Sequence, residues 1–426
     1  MIHLRDVTIA IVGLGYVGLP LAVEFSKRYP VIGYDINAER VEQLKAGEDI
    51  TLELDSGELG SSGRLTISNS VEDIAKANVY IVTVPTPVDQ FKQPDLEPVI
   101  SATKDIACVL KSGDVVIYES TVYPGATEEE CIPILERMSG LSLNKEFFVG
   151  YSPERINPGD RHHRLVTIRK ITSGSTPEAA LFVDDLYSSI LIGGTYQAPS
   201  IKVAEAAKVI ENTQRNVNIA LMNELAKLFS KLNIDTEDVL LAAESKWNFL
   251  HFRPGLVGGH CISVDPHYLI HKAEQVGVYP EITLAGSRIN DSMGLYVASQ
   301  LAKAMARKGI PILNSRALIL GLTFKENTPD LRNTKVIDIV RELQEFGMTV
   351  DVYDPWADPE EAKTRYGITL VETLFDHTYS GIILAVAHKQ FQDLTVEDIE
   401  ALRDEKGTVV YDLKYVLPRQ ITDIRL

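Results

Sequence analysis

The chain has 426 residues, 45% apolar and 24% charged, and its 59 acidic against 42 basic side chains give a net charge of −17. That length exceeds a single hydrophobic core and implies two or three domains of an ordinary soluble, globular kind. The acidic balance argues against general binding to nucleic acid or anionic membrane, so an anionic ligand needs a local cluster of Arg and Lys.

Val7 to Val12 is a β-branched apolar run, the pattern of a strand buried on both faces. Gly13-Leu14-Gly15-Tyr16-Val17-Gly18 follows at once, and Leu19 to Arg28 reads as a helix. Strand, G-x-G-x-x-G and helix in that order form a dinucleotide fingerprint. The first glycine makes the turn, the second admits a pyrophosphate, and the third lets helix and strand pack. A second strand, Pro30 to Tyr34, ends in Asp35, near the distance expected of the acid that holds the adenosine ribose. Its carboxylate would repel a 2′-phosphate, which favours NAD over NADP; Arg40 is a mild counter-signal. The apolar run Ile9 to Phe25 could imitate a signal sequence, but it carries three spaced glycines, Pro20 and Glu24 and has no basic leader, so it reads as soluble core.

The strand–helix rhythm continues. Val79 to Val84 runs into Pro85-Thr86-Pro87, and Asp114 to Glu119 runs into Ser120-Thr121. In doubly wound sheets ligands lie beyond the carboxyl ends of strands, so Thr86 and Thr121 are either cofactor contacts or simple strand-terminating hydroxyls. Phe147 to Tyr151 leads into Ser152-Pro153-Glu154-Arg155-Ile156-Asn157-Pro158-Gly159, a loop with both an acid and a base. Cys108 and Cys131 fall in helical apolar patterns and are expected in the core. His162-His163 reads as a solvated pair. With Cys261 they make three cysteines without disulfide or zinc-ligand spacing, which suits a reducing cytoplasm.

From Ser200 to about Leu232 no Gly or Pro interrupts a long helical pattern. Lys208, Asn212 and Arg215 fall at i, i+4 and i+7 on one face of it. Then comes Arg253-Pro254-Gly255-Leu256-Val257-Gly258-Gly259-His260-Cys261, with Asp265 four residues on. A thiolate is a strong nucleophile near neutral pH, and two adjacent glycines let a ligand approach it closely. Further helices are expected over Pro266 to Val276 and Ile282 to Lys308. His267 and His271 have the i, i+4 spacing of a metal pair but lack the intervening Glu of the zinc-protease motif; no metal is expected.

The last third reads as a second α/β domain. Its strands are Arg316 to Leu322, Thr349 to Asp354, Gly381 to Ala387 and Thr408 to Tyr411, with a helix over Thr334 to Phe346. It has no glycine fingerprint, so no second dinucleotide is expected. Phe324 to Arg332, a polar loop with two cations at a strand's carboxyl end, is a candidate ligand contact.

Four separated motifs together resemble the UDP-glucose/GDP-mannose dehydrogenase family along essentially the whole chain. They are Gly13 to Gly18; Glu205-Ala206-Ala207-Lys208-Val209-Ile210-Glu211-Asn212; Gly258-Gly259-His260-Cys261 with Asp265; and Phe324-Lys325 with Arg332. Ser152 to Arg155 and His251 to Gly255 resemble the branch that acts on UDP-N-acetylhexosamines, UDP-N-acetylglucosamine foremost, for capsule or O-antigen polysaccharide. UDP-glucose and UDP-N-acetylmannosamine are the alternatives.

The resemblance implies an α/β fold of two Rossmann-like doubly wound domains, residues 1–196 and 309–426, joined by a long central helix and a helical dimerisation region, 197–308. It implies a cytoplasmic homodimer or higher homo-oligomer that oxidises C6 of the sugar to a carboxylate with two NAD per turnover. Cys261, Lys208, Asn212, Asp265, Glu154 and Thr121 match the family's catalytic positions. Gly13, Gly15, Tyr16, Val17, Gly18, Asp35, Arg40, Thr86, Thr121 and Arg332 match cofactor contacts. Arg155, Ile156, Lys208, Asn212, Arg215, His251, Arg253, Gly258 and Lys325 match substrate contacts, Arg253 reaching a neighbouring subunit's site. A single-oxidation hydroxyacid dehydrogenase would need neither Cys261 nor the last third of the chain, and a sensor that binds without turnover could lose Cys261 or Lys208.

Overall fold

In the computed structural model, which describes residues 2–51, 53–54, 56–60, 63–155 and 165–426, the chain forms two compact units. The first comprises Met1–Glu211 with His267–Val278, the second Asn212–Pro266 with Tyr279–Leu426.

The first unit is built on strands β1 (Ile9–Val12), β2 (Val31–Tyr34), β3 (Leu65–Ser68), β4 (Val79–Val82), β5 (Val115–Tyr118), β6 (Phe148–Tyr151), β7 (Lys170–Gly174) and β8 (Thr195–Gln197). They lie in the order β3-β2-β1-β4-β5-β6-β7-β8. β1 to β6 are parallel, as crossover helices require; β7 runs antiparallel to β6. The central strands are buried on both faces, which explains their unbroken apolar runs: Ile9, Ile11, Ile81 and Ile117 pack on one side with Leu19, Phe25 and Leu186. The point where strand order reverses, between β1 and β4, is where such sheets hold ligands.

In the second unit β9 (Arg316–Leu320), β10 (Thr349–Tyr353), β11 (Gly381–Leu384), β12 (Val409–Asp412) and β13 (Ile424–Arg425) form a parallel sheet ordered β10-β9-β11-β12-β13. Alternate residues of β9 face two separate cores. Ala317 and Ile319 pack with Met293, Val297 and Leu301, while Leu318 and Leu320 pack with Tyr379, Phe391 and Ile399. Both sheets are thus Rossmann-like, as the sequence implied.

The long helix spans Ile201–Leu232. The single helix expected over Ile282 to Lys308 is instead two, Glu281–Asp291 and Met293–Arg307, divided at Ser292. Ser292 stands at the break in an α-type conformation with no side-chain cap, and Gly294 follows two residues on, so a local turn divides the pattern. Cys131 is buried as expected, but Cys108, on the helix Glu97–Val109, is exposed, a correction to the core placement. No disulfide joins the three cysteines. Among the described residues no helix is long and apolar enough to cross a membrane.

Candidate active site

The glycine loop in the first unit divides its three roles sharply. Gly13 has φ +97°, and a Cβ there would press on the Thr83 backbone at 3.2 Å. A Cβ on Gly18 would stand 1.8 Å from Gly13 O and 2.4 Å from Thr83 Oγ1. Gly15 faces open space, with nothing within 4 Å of such a Cβ. Thr83 Oγ1 donates to Gly13 O at 2.7 Å and locks the turn to the end of β4. Asp35, just past β2, accepts from Leu14 N at 2.8 Å through one oxygen and from Asn37 N at 2.9 Å through the other.

Leu14, Gly15, Asp35, Asn37 and Arg40 line a cavity of about 290 Å³, large enough to take a nucleoside half. Arg40 is largely committed to the fold: Nε donates to Leu14 O at 3.1 Å and Nη2 to the buried Asp49 at 2.7 Å. Its Nη1 is buried without a hydrogen-bond partner among the described residues. These features fit an adenine dinucleotide. Tyr16, Val17, Thr86 and Thr121 are all half-buried.

Glu154, at the carboxyl end of β6, is buried and accepts from Arg155 N at 2.5 Å. Arg155 itself pairs with Glu211 at 2.6 Å and donates to Arg169 O at 2.8 Å. Ile156, expected at the substrate, lies outside the described residues, as does His162-His163. Lys208 is buried on the long helix, three residues after Glu205.

Glu205 was quoted only as part of a motif, yet it is fully buried and accepts from Gly125 N at 2.5 Å and Thr127 N at 3.0 Å. It thereby fastens the segment after Thr121 to the helix that carries Lys208. Burial pushes its carboxyl up to about 7 against those hydrogen bonds. A lone acid set among Ala204, Ala206 and Ala207 was its sequence signal.

In the second unit, Asn212 and Asp265 meet: Asn212 Nδ2 donates to Asp265 Oδ2 at 2.6 Å, and both are buried. Asp265 opens the helix Asp265–Gln275, where a carboxylate is favoured by the helix dipole. Cys261 is half-buried in the turn before it, its carbonyl accepting from Val264 N at 3.0 Å and Asp265 N at 2.8 Å. Asn216 Nδ2 donates to Ile262 O at 3.1 Å and holds the same turn. Gly258 and Gly259 are required by close approach: a Cβ on the first would stand 2.7 Å from Asn333 O, on the second 2.8 Å from the Phe324 ring. The cysteine turn and the Phe324–Arg332 loop are therefore packed together.

Gly258, Phe324, Glu326, Lys335 and Lys414 line a second concavity, with Thr323 and Thr334. His388, fully buried, sets the neighbouring loop by accepting from Asn327 N at 2.9 Å while lying 3.2 Å from Asp354. Lys325 is half-buried in that loop. Arg332 is paired with Asp330 at 2.6 Å; burial alone would raise the Asp330 carboxyl, but Arg332 holds it below its ordinary range.

Arg253 is likewise engaged, by Glu237 at 2.7 Å and by Glu244, to which His251 also bonds at 3.0 Å. Arg215 is exposed. His271 bonds Gln93 and Gln275 through its two ring nitrogens, and among the described residues no group of three His, Cys, Asp or Glu side chains gathers as for a metal.

Comparison with known proteins agrees along the chain. The NAD-binding domain of the UDP-glucose/GDP-mannose dehydrogenase family matches residues 7–191, its central domain 202–292 and its UDP-binding domain 318–419. A UDP-N-acetyl-D-glucosamine 6-dehydrogenase from Pseudomonas aeruginosa is 59% identical over 99% of this chain and 100% of its own length. One of the same name from Salmonella typhi is 58% identical over 100% of both. Among solved structures, a UDP-D-ManNAc dehydrogenase from Pyrococcus horikoshii has a TM-score of 0.89 at 30% identity, covering 98% of each chain. A dinucleotide cradle on one sheet and a cysteine turn packed beside the other sheet's loop are what such a match requires, and the chain belongs to the UDP-glucose/GDP-mannose dehydrogenase family.

Proposed function

We propose that the protein oxidises C6 of UDP-N-acetylglucosamine to the uronic acid, in two successive oxidations that consume two NAD. The observation that carries this reading is the Cys261 turn with Asn212 and Asp265 joined beside it; the two relatives at 58–59% identity support the sugar. NAD, held by the Gly13–Gly18 loop and Asp35, supplies the hydride acceptor at each oxidation. Lys208 stabilises the developing oxyanion at C6 and takes part in proton transfer. Cys261 adds to the aldehyde-level carbon, forming a thiohemiacetal that retains it and can be oxidised again to a thioester. Water then cleaves the thioester, releasing the carboxylate and the thiol. Asn212 holds the oxyanion or that water; Asp265 assists Lys208 and the water, Glu154 accepts the water's proton, and Thr121 orients it through its hydroxyl. Arg155, Arg253 and Lys325, with Arg215, His251 and Gly258, hold the UDP-sugar, and Arg332 the cofactor. By the same resemblance the enzyme works as a homodimer or higher homo-oligomer in the cytoplasm, supplying a surface polysaccharide.

The test is a panel of UDP-sugars assayed with NAD and NADP. Two NADH per sugar and the highest kcat/KM for UDP-N-acetylglucosamine are expected. One NADH per sugar would remove the thioester route, and a higher kcat/KM for UDP-glucose would remove the acetamido assignment.

A further inference from the structure

β7 reverses direction against the parallel strands β1 to β6, and the reversal delivers a charge. Its register with β6 pairs Tyr151 with Ser173 and Gly150 with Gly174. Continued past the strand end, each step forward on β6 being one back on β7, it sets Lys170 opposite Glu154. The Lys170 side chain is fully buried. Its Nζ lies 2.7 Å from Glu119 Oε2, 3.1 Å from Pro153 O and 3.6 Å from Glu154 Oε2. Glu119, at the end of β5 two residues before Thr121, is also fully buried, and its other oxygen accepts from Tyr187 OH.

We propose that Lys170, shared between Glu119 and Glu154, is a positioning residue that orients Glu154 and supplies the cation facing it. This rests on the reading of Glu154 as a carboxylate acting on the hydrolytic water. Stability alone does not account for the arrangement, because apolar replacement of buried ion pairs is often neutral or stabilising. Two carboxylates share a single ammonium, so each competes for it, and Glu119 modulates the cation that Glu154 sees. Burial raises the Glu119 carboxyl while Lys170 pulls it down; burial would depress Lys170, but the two acids hold its ammonium above the ordinary value. Among the described residues, Tyr187, whose ring lies 5.2 Å from Nζ, and Arg155, itself paired with Glu211, also face the cluster.

The experiment compares pH profiles of kcat/KM for wild type, Lys170→Met and Glu119→Gln, with Glu154→Gln as reference. Loss of the ammonium should move the acid limb to higher pH by about one unit; loss of the competing carboxylate should move it lower. A limb that does not rise in Lys170→Met, or that rises in Glu119→Gln, overturns the proposal. Should Lys170→Met fail to fold, Glu119→Gln decides alone: a lowered limb supports the proposal, an unmoved or raised one overturns it. A Glu154→Gln enzyme with undiminished turnover would instead remove the reading of Glu154 on which the proposal stands.

Discussion

Cys261 sits in a turn whose backbone is held from both sides, by Asn216 and by the first N–H groups of the following helix. A serine there should keep the fold and the binding of NAD and UDP-sugar. Turnover to the carboxylate should fall at least about 10³-fold, the scale of losing a nucleophile. Steady-state rates with binding measured in parallel check this; a near-normal rate would reassign the nucleophile. Arg253 offers a test of a different kind. Hydrogen bonds from Arg253 hold the Glu244 carboxyl down to about 2, well below its unfolded value. A depressed acid contributes stability above its unfolded value, near 4.5, and loses it as pH falls toward the folded value. The Tm advantage of wild type over Glu244→Gln should therefore be constant from neutral pH to about 4.5 and shrink below it. An advantage unchanged at lower pH would mean that the pair is not linked to folding. Arg253→Ala should raise the substrate KM roughly ten- to a hundredfold, as loss of a charge-assisted contact does, and an unchanged KM would leave Arg253 with only its structural partners.

At the scale of elements, the glycine loop separates fold from function residue by residue. Gly18→Ala forces a Cβ into Gly13 O and should cost about 1–3 kcal/mol or more through overpacking. Gly15→Ala meets no protein atom, so its Tm should hold while NAD affinity falls by about tenfold or more, where the pyrophosphate approaches. Equal Tm losses in the two variants would contradict this division. The same loop was fully legible in the sequence, because strand, glycines and helix are contiguous. So were the strands that are buried on both faces, since their apolar runs are unbroken. β3, β7, β8 and β13 were not: Leu65–Ser68 is short and half-polar, and Lys170–Gly174 opens with a charge whose partners are distant in sequence. The partners of Glu205, Gly125 and Thr127, were hidden for the same reason. Charged residues announce that they can bind, but pairing is decided by which chain segments meet.

For the whole molecule, ligand binding should be separable. NAD at about 100 times its Kd should stabilise what it binds by about 2.7 kcal/mol, and hydrogen exchange should slow at β1, β2 and β4 of the first unit. UDP should slow exchange around Phe324–Arg332 in the second. Protection by UDP confined to the glycine loop would invert the assignment of the two sheets. The strongly acidic chain makes the UDP end salt-sensitive, because only local cations hold the pyrophosphate.

Asp35 gives the cofactor site an evolutionary property. The carboxylate proposed to disfavour a 2′-phosphate also receives Leu14 N and Asn37 N, one on each oxygen, and so shapes the glycine loop. Arg40 cannot simply be redirected to a phosphate, since two of its nitrogens already hold Leu14 and Asp49. Exchanging Asp35 for a residue with no side-chain acceptor would therefore discard the charge and both loop hydrogen bonds in one step. Such an exchange needs a compensating acceptor for Leu14 N, which narrows the single substitutions open to a descendant using NADP.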